Sequence, residues 1–171
     1  MPAWMENVRV LTIGSLLFLA AGVFVTIYVP SLDAQAATPT QYAHPYTAEE
    51  SRGREIFKRE GCWYCHTQQV RPPEVGIGTV HVKGDIGPES QPGDYVYQSP
   101  VFWGTERQGP DLTHVASRKD EKGFAYGASA DWHTAHLKNP QVFNQGTVMP
   151  SFAHLPDAEL RELAAYLLTL K

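Results

Sequence analysis

Two cysteines and a histidine form the chemically most specific stretch of this sequence, Gly61-Cys62-Trp63-Tyr64-Cys65-His66. Two thiols separated by two residues and followed at once by a histidine are the attachment signature of a c-type haem. The spacing lets both sulfurs reach the two vinyl groups of a porphyrin and form thioethers, and it carries the histidine under the iron as a ligand. The sequence therefore predicts one covalently bound haem c, held by Cys62, Cys65 and His66.

Other uses of a cysteine pair fit this sequence less well. The chain has only two cysteines, so a four-cysteine zinc site is excluded, and a two-cysteine, two-histidine finger would need a second histidine pair at finger spacing. A thioredoxin-like redox pair expects a strand–turn–helix setting and has no use for His66.

A haem that only passes electrons needs a sixth iron ligand, because an open position implies gas binding or catalysis. The chain has three methionines, and Met1 and Met5 precede a segment that is predicted to cross a membrane. Met149 is therefore the predicted sixth ligand. His154 lies close to it in sequence and is the main alternative.

His133 and His136 have the i, i+3 spacing of a metal-binding pair on a helix. No carboxylate or third ligand at helical spacing completes such a site. Structural hydrogen bonding is therefore the expected role of both histidines.

The amino-terminal part contains an uncharged apolar run, Val10–Val29, whose length as a helix covers roughly the 30 Å core of a bilayer. Trp4 and Tyr28 lie where interfacial aromatic residues belong, and Pro30 is expected to stop the helix. The small-x-small pattern Ala34–Ala36 leaves a cleaved signal peptide as an alternative, but the run is longer than a usual signal core.

These features divide the chain into four parts. Residues 1–9 are a short cytoplasmic amino terminus, 10–29 a transmembrane anchor, 30–46 a semi-extended linker, and 47–171 a mono-haem domain. Attachment of a c-type haem takes place outside the cytoplasmic membrane, so the haem domain is expected on that side.

Two amphipathic helices are predicted to frame the haem domain. Thr47 and Glu50 form a capping-box pattern that starts the first helix, and Gly61 is its expected end. The second begins near Pro156. The apolar positions at helical spacing on the two helices are Ile56, Phe57, Leu160, Leu163, Ala164, Leu167 and Leu170.

The chain between these helices is expected to be mostly irregular, since 72–100 is dense in glycine and proline. Brief strand-like pieces are predicted at Thr79–Val82 and Tyr95–Tyr97. The formal net charge of −4 gives no support for nucleic-acid binding and suits a basic partner.

The segment Gly109-Pro110-Asp111-Leu112 is similar to the Gly-Pro-x-Leu segment of class I cytochromes c. In that fold, the proline carbonyl accepts a hydrogen bond from the iron-ligating histidine, which implies this role for Pro110. The first and last helices of the fold also cross, with a glycine against an aromatic residue; Gly53 and Tyr166 are the corresponding residues here.

Longer blocks resemble the mono-haem cytochrome c subunit of cbb3-type cytochrome c oxidases, over about Pro45 to Leu170. The matching blocks are Pro45-Tyr46-Thr47-Ala48, Arg59-Glu60-Gly61-Cys62-x-x-Cys65-His66-Thr67-Gln68, Trp103-Gly104-Thr105-x-Arg107-x-Gly109-Pro110-Asp111-Leu112, Asp131-Trp132-His133-x-x-His136-Leu137-x-Asn139-Pro140 and Met149-Pro150-x-Phe152. The sequence departs from the family pattern between Pro72 and Val96.

The resemblance implies a mainly α protein, a class I cytochrome c domain with a single amino-terminal transmembrane helix, in the bacterial inner membrane. It implies a multi-span haem–copper catalytic subunit as partner, another cytochrome c as electron donor, and contact with membrane lipid. Arg71 and Arg107 are implied contacts of the haem propionates or of the catalytic subunit, and Trp103 is implied in packing at the haem cavity or the interface.

Three other functions remain open on the sequence alone. A nitric oxide reductase has a cytochrome c subunit with the same layout of one helix and one haem. A free membrane-anchored shuttle would have no fixed partner. A peroxidase-type enzyme would need a vacant sixth position with acid and base groups above it, against which Met149 argues.

Overall fold

The computed structural model describes residues 7–71, 87–104, 108–119 and 122–171. The regular elements within these ranges are helices, as the mainly α prediction requires. The α-helical segments are α1 (Val8–Ser31), α2 (Ala34–Ala37), α3 (Ala48–Arg59), α4 (Ala130–Lys138), α5 (Pro140–Phe143) and α6 (Asp157–Leu167). Short 3-10 turns lie at Cys62–Tyr64, Pro92–Tyr95, Val115–Ser117 and Tyr126–Ala128.

Helix α1 is long and apolar enough to cross a membrane. It has 24 residues, and its most apolar 18-residue stretch has a mean hydropathy of 2.4 and is not buried against the rest of the chain. At 1.5 Å per residue it is about 36 Å long, which exceeds the roughly 30 Å hydrocarbon core of a bilayer. The predicted anchor is confirmed as a helix, and it extends two residues beyond the predicted range 10–29 at each end.

Pro30 does not stop α1 where the sequence predicted. The turn Phe24–Tyr28 is a wider π-helical turn, and the helix continues through Pro30 to Ser31. Proline lacks a backbone N–H and cannot make the usual helical hydrogen bond. The π-helical turn that precedes Pro30 shifts the hydrogen-bond register of the helix. Helix α1 then ends one residue after the proline.

The segment that follows α1 lies against the haem domain. The sequence predicted a semi-extended linker, but Ala34–Ala37 forms one turn of α-helix, because alanine has the highest helix propensity. The Thr40 amide then donates to the Gly93 carbonyl at 3.4 Å. The ring of Tyr42 contacts that of His114 edge-on, with centroids 5.3 Å apart.

Helix α3 begins at the predicted capping box. The Glu50 amide donates to Thr47 Oγ1 at 3.3 Å, and the Thr47 amide donates to Glu50 Oε2 at 2.7 Å. Two amide groups that would otherwise lack partners at the helix start are thereby satisfied. Gly61 ends the helix with a positive φ of 72°, a conformation that glycine adopts without a steric penalty.

Helices α3 and α6 cross in direct contact at Gly53. A Cβ atom at this position would lie 1.9 Å from the Glu162 carbonyl oxygen and 2.9 Å from Cβ of Tyr166. Tyr166 is completely buried, and its hydroxyl donates to Gln68 Oε1 at 3.0 Å. The two residues thus have the relation that the class I cytochrome c resemblance implied.

The predicted apolar stripe of α6 supplies much of the core. Leu160, Leu163 and Ala164 have no exposed surface. Leu160 and Leu163 pack with residues from α3, α4 and the loops around Phe102 and Val115. Burial of this kind is the main stabilising contribution to the domain, and it fixes the first and last helices around the haem motif.

Gly53→Ala is expected to destabilise the domain strongly. The added methyl group occupies space held by the Glu162 backbone, so α3 and α6 must separate, at a cost of about 1–3 kcal/mol or more. Thermal unfolding of the full-length chain, followed by circular dichroism, measures this loss. Ser51→Ala, at an exposed position of the same helix, is the control; equal unfolding midpoints for the two variants would contradict the prediction.

The strand-like piece predicted at Tyr95–Tyr97 is wrong. Pro92 starts a 3-10 turn that includes Tyr95, and Asp94 accepts a hydrogen bond from the Gln91 amide at 2.7 Å. This local hydrogen bond favours a turn over an extended conformation. The other predicted piece, Thr79–Val82, lies outside the described residues.

Candidate haem-binding site

The cysteine–histidine motif forms a tight turn directly after α3. The amides of Cys65 and His66 both donate to the Cys62 carbonyl, at 3.2 and 3.0 Å. Neither cysteine is in a disulfide, and both are half-buried. Burial raises the pKa of the Cys62 thiol to about 12, whereas a thioredoxin-like redox pair needs a thiol with a lowered pKa.

His66 has one ring nitrogen fixed by the backbone. Its Nδ1 donates to the Pro110 carbonyl at 2.7 Å. Burial lowers the pKa of the imidazole and so favours the neutral ring, in which Nε2 carries the lone pair when Nδ1 donates to Pro110. A metal-ligating histidine generally has this arrangement, with one nitrogen hydrogen-bonded to an acceptor and the other free for the metal.

Two glycines bring the backbone close to this histidine. A Cβ atom at Gly109 would lie 2.4 Å from Cε1 and 2.8 Å from Nε2 of the His66 ring. Gly104 has a φ of 54°, and a Cβ atom there would lie 2.5 Å from the His66 carbonyl oxygen. Sequence reasoning used both glycines only as parts of motifs and did not assign them to the site.

Met149 lies half-buried against the hydrophobic core. Its segment is attached to the carboxyl end of α4: the Phe152 amide donates to the Leu137 carbonyl at 2.9 Å, and Ser151 Oγ donates to the Lys138 carbonyl at 2.6 Å. These bonds hold the methionine in a non-helical segment just before α6, as the sequence predicted.

His154, the alternative ligand, lies on the surface. Its side chain is 60% exposed, and Nε2 is 3.1 Å from Glu60 Oε2 at the end of α3. Since the Glu60 carboxylate already pairs with His154, Met149 stays the predicted sixth ligand.

The two histidines of α4 differ in their surroundings. His133 is buried, and its Nε2 donates to the Gly127 carbonyl at 2.9 Å, which is the structural hydrogen bonding that the sequence predicted. His136 departs from that prediction, because its Nδ1 is buried without a hydrogen-bond partner. In the described part of the chain, no three His, Cys, Asp or Glu side chains are grouped as in a metal site.

The resemblance also implied roles for Trp103, Arg71 and Arg107. Trp103 is 50% exposed, and its ring meets the Tyr95 ring edge-on, with centroids 5.8 Å apart. The Trp103 carbonyl accepts a hydrogen bond from the Thr67 hydroxyl. Arg71 is half-buried at the end of a described range. Arg107 lies outside the described residues.

A buried arginine near His66 was missed by sequence reasoning. Arg118 is only 3% exposed, and its Nη2 donates to the Asp111 carbonyl at 2.6 Å. Its Nε is buried without a partner, and its positive charge contributes to lowering the pKa of His66. A lone arginine after the Gly-Pro segment carries no sequence signal, since most arginines are exposed.

The residues around His66 fit a haem. The His66 ring is fixed by the Pro110 carbonyl, Gly109 leaves the ring room, and Cys62 and Cys65 form no disulfide and have the spacing of two thioethers. Arg118 offers an unpaired buried N–H, and such a group requires an acceptor, which a haem propionate can supply. We regard this donor set as one that binds and orients a porphyrin.

Comparison with known families agrees with this geometry. No curated protein matches the sequence. Residues 2–168 match the family described as cytochrome c oxidase, mono-haem subunit/FixO. The match covers nearly the whole chain, includes the anchor helix and confirms the resemblance found in the sequence. The chain therefore belongs to the FixO family of mono-haem cytochrome c oxidase subunits.

Proposed function

We propose that this chain is the anchored electron-transfer subunit of a cbb3-type oxidase, with one haem c bound covalently through Cys62 and Cys65. His66 and Met149 are the axial iron ligands in this proposal. The observation that carries it is the His66–Pro110 hydrogen bond beside Gly109, because it prepares a neutral imidazole for an iron. The haem, when bound, supplies one-electron transfer, so the isolated chain needs no catalytic residues of its own.

The protein's own side chains bind and orient the cofactor. His66 presents Nε2 while Pro110 fixes its ring, and Met149 supplies a thioether, a ligand that raises the potential relative to a second histidine. Arg118 pairs with a haem propionate through its free Nε. Trp103, whose carbonyl accepts a hydrogen bond from Thr67, and Arg71 contact the porphyrin edge or the catalytic subunit.

The membrane topology follows from the attachment chemistry. Residues 1–9 are cytoplasmic, 10–29 form the core of the anchor, 30–46 connect it to the domain, and 47–171 form the haem domain. Because c-type haem is attached outside the cytoplasmic membrane, the domain lies on the extracytoplasmic side of a bacterial inner membrane. There it receives electrons from another cytochrome c and passes them to a multi-span haem–copper subunit that reduces oxygen and pumps protons.

Purification of the tagged, full-length chain in a gentle detergent tests this function. A haem-stained band on a denaturing gel and co-purification of a multi-span haem–copper subunit, identified by mass spectrometry, are the expected results. The untagged strain is the control for adventitious capture. A haem protein that purifies without any multi-span partner indicates a free shuttle, and a nitric oxide reductase catalytic subunit in its place indicates the alternative complex.

A further inference from the structure

The chain makes contact with the haem domain almost directly after the anchor. Helix α1 ends at Ser31, and α2 begins at Ala34. The amides of the two residues between them donate to the carbonyls of Val29 and Pro30, at 3.2 and 3.0 Å. Two residues span about 7 Å at most, even when the backbone is fully extended. Helix α2 therefore lies close to the end of the anchor.

Helix α2 and Thr40 are attached to the 3-10 turn Pro92–Tyr95. Helix α2 packs against this turn. The Thr40 amide donates to the Gly93 carbonyl at 3.4 Å, and the Thr40 hydroxyl donates to the Asp94 carboxylate. Hydrogen bonds to a charged acceptor are stronger than those between neutral groups. The first half of the post-anchor segment, residues 32–46, is thus fixed to the haem domain.

Aromatic contacts fix the second half of the post-anchor segment. The ring of Tyr42 meets the His114 ring edge-on, with centroids 5.3 Å apart. His114 is itself buried, with Nε2 3.2 Å from the Pro88 carbonyl oxygen. The ring of Tyr46 meets the buried Tyr166 ring edge-on, with centroids 5.8 Å apart. Edge-to-face pairs of this kind stabilise the packing beyond the area that they bury.

The turn Pro92–Tyr95 is fixed in turn to the segment that carries the haem motif. Tyr95 is buried, and its hydroxyl donates to the Gln68 carbonyl at 2.8 Å. The Gln68 amide donates to the Phe102 carbonyl at 3.2 Å. Gln68 is two residues after His66. A continuous series of contacts therefore connects the end of α1 to the chain around the predicted iron ligand.

We propose that the post-anchor segment is a rigid mount, which holds the haem domain against the membrane surface in one orientation. The inference rests on the proposed function in that α1 spans the bilayer and the domain carries haem. A flexible linker of this length would have an end-to-end distance of roughly 20 Å and would let the domain rotate. A mounted haem does not swing between donor and acceptor, so both partners must reach it at fixed faces of the domain.

The orientation of the haem can be measured in the full-length, haem-loaded chain, reconstituted into lipid bilayers without any other subunit. The bilayers are stacked as oriented multilayers, and the electron paramagnetic resonance spectrum of the ferric haem is recorded at several angles between the magnetic field and the membrane normal. The decisive variant has Gly-Ser-Gly-Ser inserted between Asp33 and Ala34, which separates the anchor from the contacts of the mount. The same four residues appended after Lys171 are the matched control.

The wild type and the control are expected to give signals whose amplitudes change strongly with angle. The insertion between Asp33 and Ala34 is expected to remove this dependence, because the domain can then rotate about the added residues. Its unfolding midpoint should stay at the wild-type value, since the contacts within the haem domain are unchanged.

Proteolysis tests the contacts of the mount without using the haem. In Thr40→Val combined with Tyr42→Ala, the bond to Asp94 and the ring contact with His114 are lost. Proteinase K is expected to cut this variant within residues 32–46 roughly tenfold faster than the wild type, because cleavage follows the population of the open segment. Thr38→Val is the control, since the Thr38 hydroxyl bonds only within its own turn, to the Ala34 carbonyl at 2.8 Å.

A wild-type spectrum that does not depend on angle would overturn the proposal. An inserted chain that stays oriented like the wild type would also overturn it, because the orientation would then not come from the mount. Equal cleavage of the wild type and the Thr40→Val, Tyr42→Ala variant would show that these contacts do not hold the segment. Absence of covalent haem from the wild type would instead refute the proposed function, and the cleavage rates would still decide whether the segment is fixed.

Discussion

Replacement of both Cys62 and Cys65 by alanine is expected to yield a chain that carries no covalently bound haem. The chain has no other cysteine, so no sulfur remains to form a thioether with the vinyl groups. His66 keeps its hydrogen bond to Pro110, but a single imidazole does not retain a porphyrin through denaturation. Haem staining of a denaturing gel and the intact mass of the purified chain measure the loss.

Met149→Ala is the control for this experiment. It removes a predicted iron ligand and leaves the thioethers, so its haem stain, and the mass that the haem adds to the polypeptide, should match those of the wild type. Haem that remained on the double cysteine variant after denaturation would show that the porphyrin is not attached by thioethers. Haem lost equally from both variants would show that axial ligation, not covalent attachment, retains the cofactor.

The frame of the fold could be predicted because its signals are local. The capping box at Thr47 and Glu50 and the apolar stripe of α6 depend on residues within a few positions of one another. The residue at which α1 ends could not be predicted from the sequence. A π-helical turn precedes Pro30, and the helix continues through the proline instead of ending there. The short turn of α2 was missed although the alanines of Ala34–Ala37 favour a helix locally.

The residues of the site that belong to a sequence motif could be predicted. Residues that are recognised only by their burial in the fold could not. The spacing of Cys62, Cys65 and His66 identifies the haem-binding turn without any structure. Arg118 carries no such signal. Its burial, with Nε left without a partner, exists only after helices and loops that are distant in sequence have come together.

Gly109→Ala is expected to disrupt the iron-binding histidine without touching the cysteines. The new methyl group would lie 2.4–2.8 Å from three atoms of the His66 ring, so the ring must turn away from Pro110 and lose its hydrogen bond. Loss of such a hydrogen-bond partner of a metal ligand typically costs about 10–100-fold in metal affinity or activity. We expect covalent haem to be retained, with a mixed spin state and a shifted potential, measured by absorption spectroscopy and redox titration.

Gly146→Ala separates this local effect from general loss of stability. A Cβ atom at Gly146 meets nothing within 4 Å, but φ is 79° there, so alanine is strained by about 1–2 kcal/mol without any contact with His66. This variant should therefore unfold more easily while keeping the wild-type spectrum and potential. If Gly109→Ala likewise lowered only the unfolding midpoint, the His66–Pro110 hydrogen bond would contribute to folding alone. That bond would then no longer support the proposed binding of haem iron by His66.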